Sequence, residues 1–186
     1  MTRMFVAVIP PEPITDDLDE FLSVRRSAAG PDEGWRWTLP DQWHLTLAFF
    51  ESVPDRSYDE LCERLHAAAE KHAPRESRIV GGGAFPDPDR ARVVFAGLED
   101  SFGELSRAAR SAASVAGLAV DGQRFRPHLT LARLGRPTNV TRWIRVLDAY
   151  AGPSWTVTEL ALVESHLGVG PGRRPRYEVR ETFPLG

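Results

Sequence analysis

Cysteine is almost absent from this sequence, since Cys62 is the only one among 186 residues. A single cysteine excludes an intrachain disulfide and a zinc site built on thiolates, and it favours a reducing, cytoplasmic compartment. Long apolar runs are missing too, because no stretch approaches the roughly 20 residues that a membrane-spanning helix needs. The sequence therefore predicts a cytoplasmic protein with no membrane partner.

An excess of positive charge is also lacking. The formal net charge is −3 at pH 7, which argues against a protein that coats long nucleic acid through a broad basic surface. A hydrophobic content of 42% and a charged content of 26% are typical of a globular chain. We expect residues 1–186 to form a single domain of two similar lobes, with no obligate protein partner, acting as a monomer.

Helical and extended segments alternate along the chain. Apolar residues at helical spacing predict helices over 13–29, 56–72, 101–116 and 140–150. Short apolar runs predict strands over 3–9, 35–38, 43–50, 78–80, 92–96, 128–134, 155–164 and 176–183. The glycines at 81–83 predict a turn, because they lack the Lys-Ser/Thr of a phosphate-binding loop. Short connections between several strands favour an α+β domain over a doubly wound parallel sheet.

One internal repeat stands out. The five residues His-Leu-Thr-Leu-Ala occur at 44–48 and again at 128–132. Each copy lies in a predicted strand, about 43–50 and 127–134, with similar elements around it. The repeat therefore predicts a duplicated half-domain with pseudo-two-fold symmetry, in which each lobe contributes one His-x-Thr strand.

Alternation along a strand separates the polar from the apolar residues of each copy. His44, Thr46 and Ala48 share one face, and Leu45, Leu47 and Phe49 share the other. The second copy follows the same pattern. If the two strands lie side by side across a pseudo-two-fold axis, two imidazoles and two hydroxyls converge on one cleft.

Such a cleft suits the in-line opening of a cyclic phosphate. A neutral imidazole removes a proton from water while a protonated one donates a proton to the departing ribose oxygen. Each threonine hydroxyl can donate to a non-bridging phosphate oxygen. The motifs offer no carboxylate at metal-ligand spacing, so we expect neither a metal nor a cofactor.

The paired His-x-Thr strands resemble the two-histidine (2H) phosphoesterase superfamily. Within it, the chain is similar to the RNA 2′,3′-cyclic phosphodiesterases, also called 2′-5′ RNA ligases, in its opening strand (residues 4–11), both motif regions (35–50 and 125–133) and its closing strands (162–165 and 176–185). The resemblance implies a bilobal fold in which two pseudo-two-fold-related antiparallel or mixed sheets line a central cleft, with helices outside. It also implies that the substrates are RNA ends or nucleotides bearing a 2′,3′-cyclic phosphate, which are hydrolysed to 2′-phosphomonoesters.

The resemblance assigns roles that the repeat leaves interchangeable. It implies that His44 is the proton donor and His128 the proton acceptor. It implies a phosphate site of Thr46, Thr130 and Arg133. Strict alternation puts Arg133 on the face opposite His128, so it reaches the cleft only if the strand ends or bulges near Ala132.

Four further residues are candidates for base stacking or for lining the cleft: Phe49, Phe50, Arg126 and Tyr177. Phe49 has the parity of a core residue, whereas Arg126 shares the parity of His128. Two other functions remain open. The same residues would serve the ligase direction, which forms a 2′-5′ linkage, and the fold could instead bind nucleotides or RNA ends without catalysis.

Overall fold

The computed structural model describes residues 2–29, 34–120, 122, 124–170 and 174–186. Four helices lie in this part of the chain: α1 (Glu12–Ala29), α2 (Asp55–Ala69), α3 (Gly103–Val115) and α4 (Thr141–Asp148). The strands are β1 (Thr2–Val8), β2 (Trp35–Trp37), β3 (Leu45–Val53), β4 (Arg75–Phe85), β5 (Ala91–Leu98), β6 (Leu129–Thr138), β7 (Ala151–Val157), β8 (Glu159–His166) and β9 (Arg176–Pro184). A short 3₁₀-helix covers Pro40–Gln42. The predicted helices are confirmed, with ends shifted by a few residues.

The strands form a nine-stranded sheet in the order β7-β4-β5-β6-β3-β1-β8-β9, with β2 paired to β6. All of these pairings are antiparallel. The two halves meet at one residue pair, Leu45 of β3 opposite Leu129 of β6. From this junction the order runs β3-β1-β8-β9 on one side and β6-β5-β4-β7 on the other. The α+β class and the pseudo-two-fold arrangement are therefore confirmed.

The two faces of the sheet bury different side chains. In β1, Met4, Val6 and Val8 enter the main apolar core, whereas Phe5 and Ala7 pack in a small second cluster. Leucines one helical turn apart, such as Leu18 and Leu22 of α1 and Leu61 and Leu65 of α2, are fully buried in the main core. The helices thus cover one face of the sheet and leave the opposite face available for a cleft. Among the described residues, no helix is long and apolar enough to span a membrane.

The turn predicted at residues 81–83 is wrong, because the glycines continue β4. Gly82 pairs with Ala96 and Gly83 pairs with Phe95. A Cβ on Gly82 would lie 2.5 Å from the Phe95 carbonyl oxygen, and one on Gly83 would lie 2.5 Å from the tip of the Phe95 ring. Glycine is required here for a close approach of neighbouring atoms, which the sequence pattern does not distinguish from a turn.

The single strand predicted over 155–164 is also wrong, because the chain forms two strands there. β7 pairs with β4 at one edge of the sheet, whereas β8 pairs with β1 in the other half. The break falls at Thr158, whose carbonyl accepts a hydrogen bond from the backbone N–H of Leu185. No glycine or proline marks this break, so local sequence gives no signal for it.

Candidate active site

The junction of the two half-sheets brings the repeated motifs together. Because Leu45 and Leu129 are antiparallel partners, the register sets His44 opposite Thr130 and His128 opposite Thr46. All four side chains line one cavity of about 130 Å³. Thr38, Gln42, Arg133 and Tyr177 complete its wall. The structure therefore gathers both His-x-Thr pairs, Arg133 and Tyr177 at one site.

Both imidazoles are held in the same way. The Nδ1 atom of His44 lies 2.7 Å from the carbonyl oxygen of Gln42, and Nδ1 of His128 lies 2.7 Å from the carbonyl oxygen of Arg126. A carbonyl only accepts hydrogen bonds, so each Nδ1 carries the hydrogen and donates it. Nε2 is then the nitrogen of each ring that is available to give or take a proton.

A β-bulge in β3 changes which residues of the first motif face the core. Thr46 pairs with Ala7 and Ala48 pairs with Val6, so β3 has one more residue, Leu47, than β1 between these pairs. The extra residue reverses the alternation beyond it. Ala48 consequently enters the main core, although strict alternation had placed it beside His44.

The same bulge explains why the predictions for Phe49 and Phe50 are wrong. Phe50 is fully buried in the main core, so its predicted place in the cleft is wrong. Phe49 is only half-buried and packs with the small cluster of Phe5 and Tyr177, so its predicted core parity is wrong as well. The guanidinium of Arg3 lies 4.5 Å from the centre of the Phe49 ring. Phe49 is not among the residues that line the cavity.

An equivalent bulge in β6 delivers Arg133 to the site. Thr130 pairs with Phe95 and Ala132 pairs with Val94, so Leu131 is the extra residue. Arg133 therefore lies on the cleft face and lines the cavity.

The carbonyl of each bulged leucine accepts a hydrogen bond from a residue outside the pair of strands that forms the bulge. The hydroxyl of Ser106, on α3, donates to the carbonyl of Leu47 at 2.7 Å. The backbone N–H of Thr38 donates to the carbonyl of Leu131 at 2.8 Å. Buried carbonyls need such partners, so these two hydrogen bonds stabilise the bulges.

Aromatic rings surround each imidazole. His44 stacks on Phe5 with 4.5 Å between ring centres, and Tyr177 meets it edge-on at 5.1 Å. His128 meets Phe85 at 4.9 Å and Phe95 at 5.4 Å, both edge-on. These rings restrict the rotation of the imidazoles and exclude water from one side of them.

Several of these residues were not predicted from the sequence. Phe5 alternates with the core residues of β1, and this alternation places it on the cleft face, so the sequence does contain a signal for it. Thr38 and Gln42 carry none: Thr38 is the last residue of a predicted strand, and Gln42 lies in the short 3₁₀-helix before β3. Arg126, which was predicted, places its guanidinium 5.4 Å from the centre of the Phe85 ring and does not line the cavity.

Burial governs the protonation of the site. It lowers the pKa of His44 to about 4, against the opposing effect of the hydrogen bond to the Gln42 carbonyl and with a further contribution from the positive charges of His128 and Arg133. Burial also lowers the pKa of His128, and nearby Arg133 adds to this effect. Both imidazoles are therefore neutral at pH 7 when the cavity is empty. Burial raises the pKa of Tyr177, so its hydroxyl stays protonated.

An anion in the cavity should reverse this effect. A negative charge beside the imidazoles favours their charged forms, so binding of sulfate should be accompanied by proton uptake. Because the imidazole pKa values are lowered in the free protein, sulfate should bind more tightly as the pH falls from 7 towards 5, by up to about tenfold per unit for each proton taken up.

NMR titration of the imidazoles with and without sulfate measures this directly. We expect the midpoint of His44 near pH 4 in the free protein and a higher midpoint when sulfate is present. A midpoint that sulfate leaves unchanged would contradict the predicted electrostatics of the cavity.

The site has no obvious metal centre. Within the described residues, no group of three His, Cys, Asp or Glu side chains is arranged to hold a metal ion.

Known proteins are similar to this chain in sequence and in fold. A family model described as the 2′-5′ RNA ligase superfamily matches residues 10–168. A Geobacillus stearothermophilus protein named RNA 2′,3′-cyclic phosphodiesterase is 30% identical over 99% of this chain, and the chain spans only 57% of that protein's length. A Thermus thermophilus protein of the same name is 33% identical over 98% of this chain and 90% of its own.

The solved structures agree with the sequence relatives. A crystal structure of a Thermus thermophilus protein superposes with a TM-score of 0.77 at 30% identity, covering 98% of this chain and 97% of that one.

Proposed function

Because the chain belongs to the 2′-5′ RNA ligase superfamily, we propose that it is an RNA 2′,3′-cyclic phosphodiesterase. The proposed product is a 2′-phosphomonoester. The observation that carries the proposal is the pair of equivalent imidazoles, each with Nδ1 bound to a backbone carbonyl and Nε2 free, in one small cavity. The names of the Geobacillus and Thermus relatives support the substrate class.

The proposed reaction is an in-line displacement at phosphorus. Nε2 of His128 takes a proton from water as the water oxygen bonds to phosphorus. The bond from phosphorus to the 3′ oxygen breaks, and this oxygen receives the proton held on Nε2 of His44. The phosphate remains on the 2′ oxygen, and proton exchange with solvent restores both imidazoles.

The other cavity residues act on the phosphate. The hydroxyls of Thr46 and Thr130 donate to its non-bridging oxygens, where negative charge increases in the transition state. Arg133 adds a fixed positive charge beside them. The pKa of His44 near 4 in the empty cavity means that the anionic substrate itself must promote protonation of the general acid.

This chemistry needs one chain only. The eight described residues that line the cavity include both imidazoles, both hydroxyls and the arginine of the proposed reaction, and we propose that the enzyme acts as a monomer. We place the enzyme in the cytoplasm, where RNA ends occur and a single cysteine stays reduced. The ligase direction would pass through the same transition state, but water at high concentration favours hydrolysis.

Hydrolysis of a panel of 2′,3′-cyclic phosphates in excess chelator tests the proposal. Because both proton transfers and the phosphate contacts come from side chains, we expect the rate to be the same with and without chelator and the product to be the 2′-phosphate. Loss of activity on chelation, with recovery on addition of a divalent ion, would contradict it. Absence of hydrolysis together with tight nucleotide binding would favour a binding module.

A further inference from the structure

A second cavity of about 200 Å³ adjoins the catalytic one. Four residues line both cavities, which therefore form one continuous depression: Thr38, Gln42, Arg133 and Tyr177. The second cavity adds the side chains of Arg36, from β2, and Arg174, from the segment before β9. It lies outside the two His-x-Thr motifs, so the hydrolytic reaction alone does not account for it.

The charge of this second cavity is unbalanced. Arg36 and Arg133 are direct cross-strand partners in the pairing of β2 with β6, and like charges in directly opposite positions destabilise a sheet. Arg174 is a third positive charge in the same wall, and none of the described residues that line the cavity carries a carboxylate. Within the described part of the chain, the ion pairs do not include any of these three arginines. Such an arrangement favours an anion as its occupant.

Arg174 and the segment that follows it are held in place by hydrogen bonds within the chain. The guanidinium of Arg174 donates a hydrogen bond to the carbonyl of Trp37 at 3.3 Å. The side-chain amide of Gln42 donates to the carbonyl of Pro175 at 2.7 Å. The carbonyl of Gln42 in turn accepts from His44. The Arg174 segment is thus tied to the residues that orient a catalytic imidazole, which fixes the second cavity relative to the reacting phosphate.

We propose that this second cavity binds a phosphate on the 5′ side of the terminal nucleoside, the internucleotide phosphate of an RNA chain, so that the preferred substrate is an oligonucleotide rather than a free cyclic nucleotide. The proposal rests on the proposed phosphodiesterase function. An RNA end carries a second anion at a covalently fixed distance from its cyclic phosphate, and a cyclic nucleoside monophosphate carries none. Arginine forks suit phosphate oxygens.

The test compares three substrates that differ only on the 5′ side: a cyclic mononucleotide, the same nucleotide with a 5′-phosphate, and a dinucleotide ending in the same cyclic phosphate. We expect kcat/KM to be at least tenfold higher for the dinucleotide than for the cyclic mononucleotide. Equal values for these two would overturn the proposal. If kcat/KM for the 5′-phosphorylated mononucleotide equals that for the dinucleotide, the ligand is a terminal phosphate and the assignment to RNA chains is overturned.

Two variants locate the preference. Arg36→Gln and Arg174→Gln should each lower kcat/KM for the dinucleotide until most of its advantage over the cyclic mononucleotide is lost. Both should leave kcat/KM for the cyclic mononucleotide unchanged. Arg56→Gln, an exposed arginine in the first turn of α2, is the matched control and should keep this advantage. Equal losses on both substrates in the two cavity variants would show a general structural effect and contradict the proposal.

A binding measurement distinguishes failure of this proposal from failure of the proposed function. If the wild-type protein hydrolyses none of the cyclic substrates, the phosphodiesterase assignment fails, yet the second cavity can still be tested with a dinucleoside monophosphate that lacks the cyclic phosphate. We expect it to bind at least tenfold more tightly than the nucleoside, with the difference lost in Arg36→Gln. Equal affinity for the dinucleotide and the nucleoside would overturn the phosphate site.

Discussion

His44→Ala and His128→Ala should each lower kcat on a 2′,3′-cyclic phosphate by about 10² to 10⁴-fold, the usual contribution of a general acid or base. Among the described residues, each substitution removes the single imidazole that its lobe contributes to the cavity. The two losses should not add in the double variant, because both groups act in one transition state. Steady-state kinetics on all three variants measures the effect.

A matched control comes from α2. His66 is an exposed histidine that pairs with Glu70, away from the cavity, and His66→Ala should keep the wild-type rate. Circular dichroism should show that His44→Ala and His128→Ala remain folded. Near-normal rates in both catalytic variants would end the two-histidine account.

Thr46→Val and Thr130→Val should each lower kcat by about 10² to 10³-fold, as expected when one donor to a developing negative charge is lost. Valine keeps the shape of threonine and its preference for strands but cannot donate a hydrogen bond. KM should change much less than kcat, because the donor acts most strongly in the transition state. Kinetic constants for the two variants should be similar, since the lobes place the two threonines equivalently.

Two control variants, Thr46→Ser and Thr138→Val, complete this series. Thr46→Ser retains a hydroxyl and should recover much of the rate that Thr46→Val loses. Thr138, at the other end of β6 from Thr130, donates to the carbonyl of Arg136 and does not line the cavity, so Thr138→Val should be neutral. A loss confined to KM would show that the hydroxyls bind substrate and transition state equally.

The repeated His-Leu-Thr-Leu-Ala motif predicted the centre of the site because it is local. Its first three residues have ordinary strand alternation, so the histidine and threonine of each copy fall on the cleft face, as expected. The fourth residue is where prediction failed. Leu47 and Leu131 are bulged, and nothing in either pentapeptide signals this.

The partners that satisfy the bulges are far away in sequence. Leu47 depends on Ser106, 59 positions later, and Leu131 depends on the backbone of Thr38. Local alternation consequently gave the wrong face for Phe49 and Phe50 and left Arg133 undecided. A bulge that moves a side chain across a sheet is decided by tertiary contacts rather than by strand propensity.

Residues in the short connections between the main strands were the least predictable. Thr38 and Gln42 precede β3, and Arg174 precedes β9, without any periodic pattern. Their place in the two cavities depends on how these segments meet across the sheet, through the hydrogen bond from Gln42 to Pro175. In the fold itself, the long amphipathic helices were predictable from spacing. The glycines at 82 and 83 were not, because their need for a small residue comes from the Phe95 carbonyl oxygen beside Gly82 and the Phe95 ring beside Gly83.

The most direct test of the central claim is the rate of His44→Ala and His128→Ala on a cyclic substrate with sulfur in place of the 3′ oxygen. A thiol has a pKa of about 8.5, so its thiolate departs without needing a proton. The account predicts that His44→Ala recovers towards the wild-type rate on this substrate while His128→Ala, which lacks the base, stays slow. Recovery of His128→Ala alone would exchange the two roles. Equal, unrecovered losses in both variants would contradict a mechanism in which one imidazole protonates the leaving oxygen and the other activates water.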